Sequence, residues 1–237
     1  MNKHYCFTDL HGMYDLWYQI KNYCDDNDEL FFLGDAIDRG EDGIIIMNEL
    51  LKDKRVTYLK GNHEDMMSIC IPEFIEGHFE SYPWWVYNGG KPTWEALQRC
   101  SDDSKMWYVR KINAMPESLI YTNTKGQKIF LSHAGTSIDK SKRELQLMGR
   151  GDNPYLWDRK HFLYPWPQDK EFEDWFVVHG HTPVQILTKE LNIKLKGVCE
   201  YNNGHKFDLD LASSDTNIVA LFDLDELKVE KYFIGEQ

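Results

Sequence analysis

Apolar positions in the first seventy residues follow two different periods. His4–Thr8 reads as a strand that stops at Asp9, and Met13, Leu16, Trp17, Ile20, Tyr23 and Cys24 then recur at helical spacing. Glu29–Leu33 predicts a second strand ending at Gly34. Ile44, Met47, Leu50 and Leu51 form another helical stripe, and Val56–Leu59 predicts a third strand before Gly61. This β-α-β-α-β succession predicts a parallel sheet with crossover helices. Such sheets bind ligands at the carboxyl ends of their strands, which is where the unusual polar residues of this chain fall.

The pattern changes over residues 72–116, which hold Tyr82, Trp84, Trp85, Tyr87, Trp94, Trp107 and Tyr108 around a turn at Asn88-Gly89-Gly90. Two readings fit: a mostly helical, aromatic-rich insertion over the strand ends, or an ordinary helical layer packed by its aromatic rings. The second half is richer in strands. Leu119–Thr122 and Lys128–Leu131 flank a hairpin-like Asn123-Thr124-Lys125-Gly126. Phe176–Val178, Lys194–Val198, Lys206–Leu211, Asn217–Leu224 and Lys228–Phe233 are further strand candidates. Two sheets face to face with helices outside would use them all, an α/β fold.

Of the 237 residues, 42% are apolar, enough for one sizeable core, and a single domain over 1–237 is expected. The net charge of −12 sets a mean field that repels polyanions, so nucleic acid and anionic membranes are excluded as partners. Apolar runs such as Ile44–Met47 are far too short to span a bilayer. The N-terminus carries no cationic-then-apolar signal. The five scattered cysteines contain no CxxC pair, which reads as reduced thiols in a cytoplasmic protein.

Five short polar segments carry the candidate chemistry: Asp9-Leu10-His11-Gly12, Gly34-Asp35-Ala36-Ile37-Asp38-Arg39-Gly40, Gly61-Asn62-His63-Glu64, His133-Ala134-Gly135 and His179-Gly180-His181-Thr182. Singly each is weak; Gly-Asn-His-Glu alone reads as a turn into a helix, with Glu64 favouring the helix dipole. Together they bring carboxylate, imidazole and amide donors to the ends of several strands, the donor set of Mn²⁺, Fe or Zn²⁺ rather than of a cysteine-bound structural zinc.

In the order DxH, GDxxDRG, GNHE, HAG, GHT, the chain resembles the metallophosphoesterases, specifically the phosphoprotein phosphatase branch of metal-dependent Ser/Thr phosphatases and its short bacterial and phage members. Asn88-Gly89-Gly90 with Thr93, Leu156-Trp157-Asp158-Arg159 and Lys206-Phe207-Asp208-Leu209-Asp210 add to the likeness. The resemblance implies a four-layer α/β/β/α sandwich with a dinuclear metal site at the strand C-terminal ends. It implies that Asp9, His11 and Asp35 hold one ion, and that Asp35, Asn62, His133 and His181 hold the other. His63 would protonate the leaving group, oriented by Asp38, while Arg39, Arg159 and Asn62 would bind the phosphate. His179 lies outside the ligand pattern and is expected to pack or hydrogen-bond. One departure is Leu211-Ala212-Ser213-Ser214, where relatives usually show small residues including glycine.

Two divalent ions about 3.5–4 Å apart, most readily Mn²⁺, can share a hydroxide, lower the pKa of the water it comes from and stabilise in-line attack on phosphorus. With Arg39 and Arg159 they outweigh Asp9, Asp35 and that hydroxide, so an acidic protein can hold an anion. The favoured function is phosphomonoester hydrolysis, with a phosphorylated protein or a small phosphoester as substrate and phosphorylated Ser or Thr preferred. The alternative is a dinucleoside polyphosphate hydrolase, for which the aromatic insertion offers a surface to stack a nucleobase. Asp38 before Arg39 disfavours the version of that alternative whose motif lacks the second Asp. A non-catalytic metal-binding regulatory module is disfavoured by the intact Asp38, His63 and both arginines.

Overall fold

The computed structural model describes residues 2–139, 144–146, 153–194 and 196–236. The first half runs β1 (His4–Phe7), α1 (Tyr14–Tyr23), β2 (Glu29–Phe32), α2 (Gly43–Lys52), β3 (Val56–Tyr58) and α3 (Asn62–Ile75), then three more helices, α4 (Tyr82–Tyr87), α5 (Lys91–Leu97) and α6 (Asp102–Asn113). The second half holds β4 (Ser118–Thr122), β5 (Lys128–Ser132), β6 (Ser137–Asp139), β7 (Glu144–Gln146), α7 (Pro154–Trp157), β8 (Trp175–His179), α8 (Val184–Glu190), β9 (Cys199–Tyr201), β10 (Lys206–Asp208), α9 (Ser213–Thr216), β11 (Ile218–Asp223) and β12 (Lys228–Ile234).

Two five-stranded sheets result. One has the order β12-β11-β1-β2-β3, with β1, β2 and β3 parallel; the other has the order β4-β5-β8-β10-β9, with β5, β8 and β10 parallel. β6 and β7 form a separate antiparallel pair. The side-chain period of two explains the layering. Tyr5, Phe7, Leu30 and Phe32 face a core shared with α1, α2, α3 and α6, while Cys6, Phe31 and Leu33 face the second sheet, meeting Ile129, Leu131, Val178 and Phe207. Phe130 and Val177 point the other way, onto Trp166 and Phe172, and α8 covers the same side through Val184 and Leu187. Strands buried on both faces read as unbroken apolar runs.

Two expected strands change extent. Lys194–Val198 is not a strand among the described residues: Gly197 turns at φ 115° and the Val198 amide bonds the Tyr232 hydroxyl, so extended pairing begins only at Cys199. Lys206–Leu211 stops at Asp208, because the Asp208 and Asp210 carboxylates capture the amides of Asp210 and Ala212 and turn the chain. Residues 72–116 hold the end of α3, which runs across position 72, and then α4, α5 and α6. Phe74 packs on Trp94, Tyr82 and Trp85 at 4.1, 5.2 and 6.2 Å, so these rings belong to the helical core. All five cysteines are free thiols, and among the described residues no helix is long and apolar enough to cross a membrane.

α1 and α2 are joined by Glu49, whose carboxylate accepts from the Trp17 indole, the Tyr14 hydroxyl and Lys21, each at 2.9 Å. Burial alone would raise its pKa, but the three donors outweigh burial and hold it below the ordinary 4.5. Trp17 is wholly buried, so Glu49→Leu would orphan its N–H and should cost about 1–3 kcal/mol in chemical denaturation, with Glu49→Gln much less damaging. Because the folded pKa is depressed, this stabilisation should be present above about pH 4.5 and fade as pH falls through the folded value.

Candidate active site

All five polar segments open from the carboxyl ends of β1, β2, β3, β5 and β8, and the two sheets bring them to one place. Six of their side-chain-bearing residues have left-handed backbone: Asp9, His11, Asp35, Asp38, Arg39 and His181, at φ 44° to 70°. Each such residue costs on the order of 1–3 kcal/mol and persists only where its surroundings enforce it. Here interlocking amides enforce it: Asp9 N–H bonds Gly34 O, His11 N–H bonds Asp35 O, Gly12 N–H bonds Ala36 O and Gly40 N–H bonds His11 O, all at 2.9–3.0 Å. Gly12 and Gly40 pack backbone to backbone, leaving no space for a Cβ on either.

Glu64 ties the next pair of turns. Buried at the third position of α3, it accepts from the amides of Asp35, Ala36 and Gly61 at 2.9 Å and from the Tyr58 hydroxyl at 2.8 Å. Its bond from the Gly61 amide is the N3-to-N-cap half of a capping box, and glycine offers no side chain for the other half.

The donor atoms of His11, Asp35 and His63 lie within 4.8 Å of one another, as do those of Asp35, His133 and His181. Asp35 stands in both groups. Its Oδ1 accepts the His63 amide at 3.0 Å, and its Oδ2 lies 3.3, 3.6 and 3.8 Å from the Nε2 atoms of His133, His11 and His63. Asp9 joins the first group through Oδ1, 3.8 Å from His11 Nε2, while its Oδ2 is held by Thr8 Oγ and the His181 amide. Asn62 joins the second: its Oδ1 is 2.8 Å from both His133 Nε2 and His181 Nδ1.

These contacts fit a cation. His11 and His133 each place Nδ1 against a backbone carbonyl, of Ile37 and of Leu33, which as an N–H donor leaves the Nε2 lone pair facing the pocket. In neutral His133 that lone pair meets the oxygens of Asn62 and Asp35, acceptor against acceptor, and only a proton or a metal reconciles them. In the protein alone a proton does so. Burial lowers the His133 pKa, but the carboxylates of Asp35, Asp9 and Glu64 overcome it and raise it to about 9. Asp35 stays ionised for the converse reason, burial being outweighed by His133, His63 and His11. His181 is held neutral by burial and by the nearby Arg159 and His133 charges.

His63 differs from the others. Its Nδ1 bonds Asp38 Oδ2 at 2.7 Å, and its Nε2 lies 3.4 Å from Arg39 Nη2. Burial opposes protonation, but Asp35 and Asp38 prevail and the pKa is raised. Arg39 and Arg159 are both exposed, with Arg39 held by its amide on Gly89 O at 2.9 Å. His179 packs as expected: its Nδ1 faces Gly180 O at 2.9 Å and its Nε2 faces the Tyr201 hydroxyl at 2.7 Å, with burial lowering its pKa to about 3.

Three supporting contacts were not readable from the sequence. The wholly buried Trp85 donates its indole N–H to Asp38 Oδ2 at 2.8 Å, while Asp38 Oδ1 has no hydrogen-bond partner among the described residues. Thr93 Oγ accepts the Asp38 amide at 2.9 Å, a role to which only the Asn88-Gly89-Gly90 echo pointed. Ser213 Oγ donates to the carbonyl of Asp9. It sits in the departing Leu211–Ser214 segment, where Ala212 takes φ 58°, a conformation glycine would adopt without cost.

Known proteins agree with this architecture. The asymmetrical bis(5'-nucleosyl)-tetraphosphatase PrpE of Oceanobacillus iheyensis is 26% identical over 208 residues, 80% of this chain and 79% of its own. PrpE of Halalkalibacterium halodurans is 26% identical over 213 residues, 78% of this chain and 81% of its own. In structure, a protein serine/threonine phosphatase from Saccharomyces cerevisiae superposes over 100% of this chain and 81% of its own with a TM-score of 0.58 at 15% identity, a likeness of fold. The family model for calcineurin-like phosphoesterases matches residues 3–222, nearly the whole span that builds both sheets, and the chain belongs to that family of metal-dependent phosphoesterases.

Proposed function

We propose that the protein hydrolyses dinucleoside polyphosphates, of the diadenosine tetraphosphate type, at a site that holds two divalent metal ions. The observation that carries this reading is that both curated relatives, aligned over about four-fifths of the chain, are bis(5'-nucleosyl)-tetraphosphatases. This favours the alternative weighed from the sequence over the Ser/Thr phosphatase first preferred there. Asp9, His11 and Asp35 would hold one ion and Asp35, Asn62, His133 and His181 the other; the central place of Asp35 Oδ2 supports the bridging role. When bound, two such ions lower the pKa of water and neutralise phosphate charge.

The chain's own groups supply the rest. Arg39 and Arg159 offer guanidinium forks to the equatorial phosphate oxygens. Arg39 Nη2 beside His63 Nε2 sets clamp and proton donor on one oxygen's reach. Asp38 holds the imidazolium of His63 by Nδ1, so that the proton on Nε2 is the one delivered to the departing oxygen. Trp85 fixes Asp38 from behind through its indole N–H. A second reading, hydrolysis of phosphorylated Ser or Thr, draws on this same pair, because an alkoxide leaves only with a proton whereas a nucleotide phosphate leaves more easily. Turnover of diadenosine tetraphosphate, a phosphoserine peptide and 4-nitrophenyl phosphate at fixed Mn²⁺ decides between them: the proposal requires the highest kcat/KM on the dinucleotide.

Asp35→Asn should reduce bound metal below two ions per chain and abolish turnover, read by elemental analysis beside kinetics; two tightly held ions would end the bridging role. His63→Asn should keep both ions and lose roughly 10²- to 10⁴-fold in rate on a phosphoserine peptide. The loss should be smaller on diadenosine tetraphosphate, and equal losses would assign His63 to phosphate binding. Trp85→Phe, which removes one donor to Asp38, should also retain two ions while kcat falls on the order of tenfold, again most on the peptide.

A further inference from the structure

One aromatic feature beside the site has no part in the chemistry above. Trp84, one residue before the buried Trp85 on α4, is 39% exposed. It stacks on Trp157 with ring centroids 5.5 Å and planes 29° apart. Trp157 meets the His181 imidazole edge-on at 6.3 Å, so the two indoles form a step from the proposed metal ligands out to solvent. Trp157 is held by its hydrogen bond to Asp65 on α3; the Trp84 ring rests on it, and the Trp84 backbone is fixed where its carbonyl accepts from the Asn88 amide and side chain at 3.3 and 2.8 Å. Phe74, Tyr82 and Trp94 of the same region pack into the core, so Trp84 is not part of that layer.

A rigid indole face left open beside a phosphate site is a surface for another flat ring. We propose that the Trp84–Trp157 stack is a nucleobase platform that takes one base of a dinucleoside polyphosphate while the phosphates lie among Asp35, His63 and Arg39. The assignment rests on the tetraphosphatase reading and adds to it the place of the base. A phosphoserine side chain carries no planar group to put there. Stacking on an indole face is tolerant of base identity, so adenine and guanine should be accepted alike.

Competition against 4-nitrophenyl phosphate hydrolysis tests this in the Mn²⁺-loaded full chain with excess metal. The inhibitors are diadenosine tetraphosphate and inorganic tripolyphosphate, which carries no base, and their Ki ratio isolates the base. In the wild type the dinucleotide should bind on the order of tenfold or more tighter. Trp84→Ala should erase that advantage and Trp84→Phe, which keeps a ring, should retain most of it. A wild-type ratio near one, or a ratio that Trp84→Ala leaves unchanged, would overturn the platform. Cleavage of the dinucleotide is read separately. Binding through Trp84 without cleavage would keep the platform and end the tetraphosphatase reading, and cleavage with a ratio indifferent to Trp84 would do the reverse.

Discussion

The clasp made by Glu64 is the contact on which the rest of the site hangs. One buried carboxylate receives the amides of Asp35, Ala36 and Gly61 and the hydroxyl of Tyr58, and thereby fixes the turn after β2 against the turn after β3. Burial and the neighbouring Asp35 raise its pKa, and the four donors work against that rise. The clasp decides where Asp35 stands, and Asp35 decides much else: one oxygen takes the His63 amide, and the other lies among three imidazoles. Packing enforces the arrangement, since a side chain at Gly61 would run into both Asp35 and Glu64.

Strain concentrates at the same place. Left-handed backbone at Asp9, His11, Asp35, Asp38, Arg39 and His181 turns each chain sharply as it leaves its strand, so short segments from two sheets can face inward together. Regular ladders on either side supply the opposing stability. Continuous apolar runs in β1, β2, β5 and β8 are buried on both faces, and that packing holds the turns in conformations they would not take alone.

The tandem tryptophans of α4 show how one short helix serves two ends. Successive residues on a helix point about 100° apart, so Trp85 turns inward to Asp38 while Trp84 turns outward to Trp157. The inward ring holds the position of a carboxylate behind the proposed proton donor. The outward ring stays partly open to solvent, where the proposed platform would meet a base. The proposed chemistry and the proposed base site thus meet in adjacent residues, and Thr93 and Gly89 tie the following segment to the turn that carries Asp38 and Arg39.

The β-α-β-α-β opening, the paired sheets and the residues gathered at the site were legible in the sequence, because each is written locally: an apolar run ends in a glycine turn and the polar residues follow at once. Asp9, His11, Asp35, Asn62, His63, His133 and His181 all come from such strand–turn units; parallel strand order brings the first five to one sheet edge and the last two to another, and the face-to-face packing of the sheets joins them. Glu64 was visible only as a helix-end charge, since two of its three amide partners, Asp35 and Ala36, belong to the turn after another strand. The expected strand at Lys194–Val198 failed because Tyr232, distant in sequence, supplies a competing hydrogen bond. Trp85 reaches Asp38 across 47 positions and Ser213 reaches Asp9 across 204. Whether an aromatic of the 72–116 region lines the core, braces the Asp38–His63 pair or stands open to solvent depends on how the helices pack on the first sheet. Local period and spacing carry no information about that packing, so the tertiary structure alone decided it.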